Sequence, residues 1–258
     1  MNAWQAWLLA LPLLAFMAAL GWAVANARRN VGLVDILWPL FFLAAALAYA
    51  VVGRNDSARA WLVLALVGPW ALRLSAYLAL RNWNAPEDHR YRAIRARNQP
   101  GFEWKSLYLV FGLQAVLAWL ISAPLAAAIA GREPLGALDA LGAALAAFGI
   151  VFEATADAQL AAFKADPANA GKVMDRGLWR YTRHPNYFGE FCVAWGLWLV
   201  ALAAAGGWTV FAPLLMSLLL LRVSGVALLE KDIAERRPAY RDYVATTNAF
   251  FPGPVRRP

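Results

Sequence analysis

Eight consecutive residues, Arg183-His184-Pro185-Asn186-Tyr187-Phe188-Gly189-Glu190, hold most of the side-chain types that a binding or catalytic centre needs. Arg183 and His184 can neutralise an anion, and His184 is a candidate acid–base group. Asn186 and Glu190 are four apart, so on a helix they share a face and can grip hydroxyls or an amide. Pro185 suits the first position of a helix, and the free amides of that helix end favour negative charge. An apolar run follows, from Phe191 to Ala205. Charge held at the edge of hydrocarbon is costly, so a charged cofactor is the expected reason for keeping it there.

Other ionisable residues interrupt apolar segments: Asp35, Arg73, Glu153, Asp157 and Arg222. Glu153, Asp157, Leu160 and Lys164 step by four, three and four, which puts them on one helix face. That face is the wall of a polar cavity or a salt-bridged seam between helices. The next loop, Ala165 to Tyr181, is rich in turn formers and bracketed by Lys164, Lys172, Arg176, Arg180 and Arg183. These cations suit phosphates, and they also suit plain topological bias. Asp35 is either the polar group of a substrate pocket or the ion-pair partner of Arg73. The tail holds Glu230-Lys231-Asp232, then Tyr240 and Tyr243, which face back toward the loops or form an interfacial helix.

The elements that must position these groups are membrane helices. The chain has 258 residues, 62% hydrophobic and only 16% charged, too apolar for a soluble domain of this length. The single Cys192 excludes a disulfide framework within the chain. Seven segments approach the roughly 20 residues that a spanning helix needs: Trp4–Ala27, Val31–Val52, Ala60–Leu80, Ser106–Ala130, Leu135–Phe163, Pro185–Ala205 and Trp208–Leu229. The first reads as a retained helix rather than a signal peptide. With seven spans, nineteen Lys and Arg fall on one side and three, Arg54, Arg59 and Arg132, on the other. This bias predicts an all-α polytopic protein with its N-terminus outside and its C-terminus in the cytosol. The net charge of +8 therefore points to topology, not to nucleic acid. Arg81–Lys105 reads as a cytosolic helix or cap. Gly21, Gly32, Gly68 and Gly112 permit close helix packing without specifying an oligomer.

The run Asp157-x-Gln159-Leu160-x-x-Phe163-Lys164, then Gly171-Lys172-Val173-Met174, then Gly177-Leu178-Trp179-Arg180-Tyr181-Thr182 leading into Arg183–Glu190, resembles the steroid 5-alpha-reductase superfamily. The likeness is to its bacterial DUF1295 branch, as are Gly32-x-Val34-Asp35-x-x-Trp38 and Glu87-Asp88-x-Arg90-Tyr91. The Arg-His-Pro-x-Tyr core is also similar to isoprenylcysteine-type methyltransferases. The resemblance implies a seven-helix membrane reductase using NADPH, with the nucleotide on the C-terminal helices and cytosolic loops. It carries the cofactor set over to Asp157, Lys164, Tyr181, Asn186 and Glu190, with Arg183, His184 and Tyr187 in the same motif. Arg73 matches an arginine of the family's third helix, and Tyr243 the general pattern of the tail. Steroid-reducing members polarise the substrate carbonyl with a Gln-Glu pair in the second helix and a tyrosine in the third. No such pair occurs here, and Trp70 stands where the tyrosine is expected. An indole cannot protonate an enolate, so the cofactor half matches while the substrate half differs.

The resulting expectation is an NADPH-dependent reductase of an activated carbon–carbon double bond in a lipophilic, steroid-like substrate. Residues 1–105 would serve the substrate and 106–258 the nucleotide. Asp35 is the first candidate for the acid, with Tyr91 and His184 as alternatives, and no metal is called for. The lipid bilayer is the expected surrounding, most simply a bacterial inner membrane. Two other readings remain open: an S-adenosylmethionine-dependent methyltransferase and a non-catalytic lipid- or nucleotide-binding protein.

Overall fold

A computed structural model describes residues 2–223, 225–226, 230 and 240–256. Among them the regular structure is helical. The helices are α1 (Ala3–Ala27), α2 (Val34–Gly53), α3 (Ala58–Asn82), α4 (His89–Arg97), α5 (Phe102–Ala130), α6 (Ala137–Ala165), α7 (Pro185–Ala203), α8 (Gly207–Val223) and α9 (Tyr240–Thr246). Six of these, α1, α2, α3, α5, α6 and α7, are long and apolar enough to cross a membrane. The chain thus has the build of a multi-pass membrane protein. The seventh expected span corresponds to α8, a shorter apolar helix. The expected end of that span at 227–229, together with Lys231 and Asp232, lies outside the described residues. At 29 residues, α6 is about 43 Å long, well beyond the roughly 30 Å of a hydrocarbon core.

Local chemistry sets the helix ends. Asn2 and Gln5 form a reciprocal capping box on α1. Ser57 caps α3 by accepting from the Ala60 amide, and Asp88 caps α4 through Arg90. Arg29 and Arg54 end the first two spans in the left-handed region, at φ 53° and 46°. A π-helical turn, Leu107–Gly112, shifts the register of α5 just before Gln114.

The chain divides into two compact units. Unit 1 comprises Met1–Ala140 and Trp198–Ala212; unit 2 comprises Leu141–Leu197 and Pro213–Pro258. In unit 1, α2 packs against α1, α3 and α5, with Phe41, Tyr49, Val63, Val67 and Phe111 fully buried. Two features lock one end of it. Trp7 stacks on Trp119 at 4.3 Å, and each indole N–H donates to the other residue's carbonyl at 2.8 Å. Trp4 stacks on Trp208 at 4.0 Å. Arg59, expected in a loop, lies instead in the first turn of α3 and is buried. It is tolerated there because Asp139 takes it in a bidentate pair, at 2.7 and 3.0 Å.

Unit 2 rests on a close pairing of α6 with α7. A Cβ at Gly189 would meet Glu153 Cβ at 2.6 Å and Gly149 O at 2.7 Å. One at Gly149 would meet Gly189 O at 2.5 Å, and one at Gly196 would meet Ala146 N at 2.5 Å. Small residues let the two backbones touch, the usual packing device where lipid gives no hydrophobic drive between helices.

Candidate functional site

In unit 1 the two N-terminal motifs interlock. Glu87 accepts from the Val31 amide at 2.9 Å and binds Arg95 with both oxygens. Asn30 accepts from the Gly32 amide and donates to the Ala85 carbonyl. These contacts bring α4 over the start of α2, where the Tyr91 hydroxyl donates to Asp35. Arg90 donates to the other Asp35 oxygen at 3.2 Å and to Asp88 at 3.0 Å. Where Arg73 was an expected ion-pair partner of Asp35, Arg90 pairs with it, from the segment read as a cytosolic helix or cap. Gln114 donates to the Tyr91 oxygen at 3.4 Å.

Burial, reinforced by Asp35, pushes the Tyr91 phenol well above its usual range. Burial alone would lower the Arg90 pKa, but Asp35, Tyr91 and Asp88 outweigh it and raise it. So the Asp35–Tyr91 pair, two of the three candidate acids, forms one hydrogen-bonded unit. Gln114 was missed; its signal was a lone amide in the apolar run of α5.

Gly32 makes room for this arrangement. A Cβ there would lie 3.1 Å from Asn30 Oδ1 and 3.2 Å from Tyr91 Cδ2. Gly32→Ala is expected to cost about 1–2 kcal/mol by crowding the phenol. Thermal unfolding measures it, and an unchanged midpoint would mean that the ring has slack.

In unit 2 the loop after α6 folds back onto that helix. The Leu178 amide donates to Gln159 at 2.9 Å, and the Trp179 indole donates to the Ala156 carbonyl at 3.0 Å. Gly177, at φ +57°, lies where a Cβ would strike the Gln159 amide at 2.5 Å. The helix α7 then begins at Pro185, as the motif predicts.

Arg183 and His184 are buried and held by the tail. Arg183 donates to Glu230 through Nε and Nη2, both at 2.7 Å, and to the Val244 and Thr247 carbonyls through Nη1. His184 Nε2 lies 2.8 Å from the same carboxylate, and its ring stacks on Tyr187. Tyr243 donates to the Trp179 carbonyl, and Thr182 Oγ1 to that of Phe250 at 2.7 Å. Burial raises the Tyr243 pKa. Burial would also raise that of Glu230, but hydrogen bonds from Arg183 and His184 overcome it and bring it down to about 2.

The other expected site residues sit as follows. Glu153, Asp157 and Glu190 are buried on α6 and α7, Asn186 and Tyr187 are half-buried at the start of α7, and Lys164 and Tyr181 are exposed. Lys172, Arg176 and Arg180 are exposed on the loop. Arg73 is half-buried in α3 of unit 1.

No solved structure matches the chain with significance. A protein of Schizosaccharomyces pombe described as uncharacterized is 28% identical over 263 residues, covering 90% of this chain and 75% of the relative. The family model described as "Protein of unknown function (DUF1295)" matches residues 21–247, which takes in both the Gly32–Tyr91 interlock and the Asp157–Glu190 run. The chain belongs to the DUF1295 family, within the steroid 5-alpha-reductase superfamily.

Proposed function

We propose that the protein is an NADPH-dependent reductase of an activated carbon–carbon double bond in a lipophilic, steroid-like substrate. It would work as a seven-span inner-membrane protein with its N-terminus outside and its C-terminus in the cytosol, where NADPH is available. Superfamily membership supports the reaction class. The observation that carries the cofactor is the build of unit 2. Buried carboxylates on the α6–α7 pair stand in the same unit as exposed cations, Lys164 in the last turn of α6 and Lys172, Arg176 and Arg180 on the loop that follows. Cations suit the phosphates of a dinucleotide, and carboxylate and amide groups suit its ribose and carboxamide.

In this reading Lys164 and Tyr181 hold phosphate, while Asp157, Asn186 and Glu190 grip the ribose and carboxamide, with Tyr187 in the same set. Arg183, His184 and Tyr243 keep the loop in shape through Glu230 and the tail carbonyls. Bound NADPH supplies the hydride for the β carbon of the substrate. The Tyr91 phenol would supply the proton as the enolate forms, its hydroxyl turning from Asp35 to the substrate oxygen, with Gln114 and Arg90 left to steady the phenolate. Tyr91 thus stands in for the tyrosine that Trp70 displaces.

Thermal shift of detergent-solubilised protein with NADPH, NADH and S-adenosylmethionine tests the cofactor. NADPH should stabilise most. Stabilisation by S-adenosylmethionine alone would point to the methyltransferase reading. Lys164→Ala should weaken NADPH binding by about 10- to 100-fold, the worth of one charge-assisted hydrogen bond. Glu190→Gln should abolish hydride transfer to an enone panel in a protein that still folds. Unchanged turnover in both variants would overturn the nucleotide assignment.

A further inference from the structure

The last turn of α1 and the ends of α3 and α5 build a surface with no part in the proposed chemistry. Arg28 places its guanidinium 4.1 Å from the centre of the Trp83 ring and donates to the Trp83 carbonyl at 3.3 Å. Trp22 donates to the Glu103 carbonyl at 2.7 Å, Asn26 donates to the same oxygen at 3.2 Å, and Trp22 packs on Trp104. Three chain segments are thereby fastened into one face. Arg28 is exposed on it, as are Trp83 and Trp104, at 44% and 69%; Arg29 and Arg81, at the adjoining ends of α1 and α3, are exposed too, Arg81 lying over Tyr77 and donating to Asn82.

The acids of the neighbouring segment 83–105 are mostly committed elsewhere. Glu87 is bound to Arg95 and Asp88 to Arg90, while the Glu103 side chain is exposed. Among the described residues Arg28, Arg29 and Arg81 have no carboxylate partner. The C-terminal end of α1 adds a partial negative charge that helps to seat Arg28 and Arg29 without neutralising them. Leu80 is 89% exposed and directly precedes Arg81. An exposed leucine beside an arginine suits the edge of a hydrocarbon layer. A soluble acidic protein would find its cations at the rim of an oily surface, whereas a lipid phosphate lies at that depth. Exposed indoles beside arginines fit the same headgroup layer.

We propose that this face is a collar that binds the headgroups of anionic phospholipid, with Arg28, Arg29 and Arg81 as the phosphate contacts and Trp83 and Trp104 as the depth anchors. It acts independently of any enzymatic role. Headgroup binding bridges the ends of α1 and α3 and so stabilises unit 1 in an anionic leaflet.

The full chain is purified and placed in nanodiscs of dioleoylphosphatidylcholine, with or without a fraction of dioleoylphosphatidylglycerol. Thermal unfolding and native mass spectrometry of retained lipid are then read. The wild type should unfold at higher temperature with phosphatidylglycerol and retain it over phosphatidylcholine by about tenfold, an advantage that falls as salt rises. Arg28→Gln/Arg29→Gln/Arg81→Gln should lose both effects. Arg132→Gln, which removes an exposed cation from the α5–α6 turn, should keep them. Should the triple variant fold poorly, Arg29→Gln alone should lower the retained phosphatidylglycerol. Equal retention of the two lipids by the wild type overturns the proposal. So does an undiminished preference in the arginine variants, or equal stabilisation by soluble inositol hexakisphosphate.

Discussion

Gly189→Ala should destabilise unit 2 by about 2–4 kcal/mol, the cost of overpacking a contact that cannot relax. The added carbon would sit 2.6 Å from Glu153 Cβ, 2.7 Å from Gly149 O and 2.8 Å from Glu153 N. Two of these are backbone atoms, so no rotamer change relieves them, and one helix must move away from the other. Gly149→Ala strikes the same contact from the opposite side, at Gly189 O and Val193 N. The two substitutions should therefore be strongly non-additive, because once the helices part the second carbon enters a gap already open. Gly136→Ala is the control, since a Cβ there meets nothing within 4 Å. Thermal unfolding in detergent measures all three. A Gly189→Ala protein with the wild-type midpoint would show that α6 and α7 lie further apart than described. Separation would also displace Glu153 and Glu190, so ligand affinity should fall with stability.

Glu230→Gln should release the tail. The wild-type carboxylate is held near 2, well below the ordinary carboxylate range. A depressed carboxyl stabilises the fold above its ordinary pKa and loses that contribution as pH falls through the folded value. The clasp should thus be intact above about pH 5 and fade between about 4.5 and 2. In Glu230→Gln the amide cannot neutralise Arg183, which stays buried among carbonyls. Breaking a buried pair costs about 3–5 kcal/mol, and the 19% exposure of the Glu230 side chain reduces this to roughly 1–3 kcal/mol. Hydrogen exchange of the amides over 240–256 follows the release directly. Protection relative to the intrinsic exchange rate should be the same in the variant at neutral pH as in the wild type at low pH. An unaffected tail would mean that Tyr243 and Thr182 hold it by themselves.

The spans were legible because each is a long apolar run bounded by caps and cations, a signal carried locally by about 20 residues. Helix α8 was less so, since its apolar run continues past Val223 into residues that are not described. The one-face spacing of Glu153 and Asp157 was readable from helical period, and Pro185 marked the start of α7. Partners across the chain were not readable. Asp35 finds Tyr91 and Arg90 some 55 residues away, and Arg183 finds Glu230 47 residues away. Nothing local announces such pairs, because any of several cations could satisfy the same carboxylate. Arg183 and His184 were read as anion binders on type alone. Their burial against Glu230 and the tail carbonyls comes from tertiary packing that a motif does not contain.

The stacked pair of Trp7 and Trp119 also sets a clock on synthesis. The two indoles lie 112 residues apart in the chain. At roughly 5–20 residues per second, α1 waits about 6–22 s for α5 to be made. During that interval the Trp7 N–H lacks the Trp119 carbonyl that it donates to in the folded chain. A serine or asparagine at its depth would have to seek a partner wherever it found one. An indole can wait in the headgroup layer, its ring in hydrocarbon and its N–H in water, and then exchange water for the Trp119 carbonyl when α5 arrives. Tryptophan thus lets a first helix hold its place in lipid until α5 is made and still be claimed by one partner later.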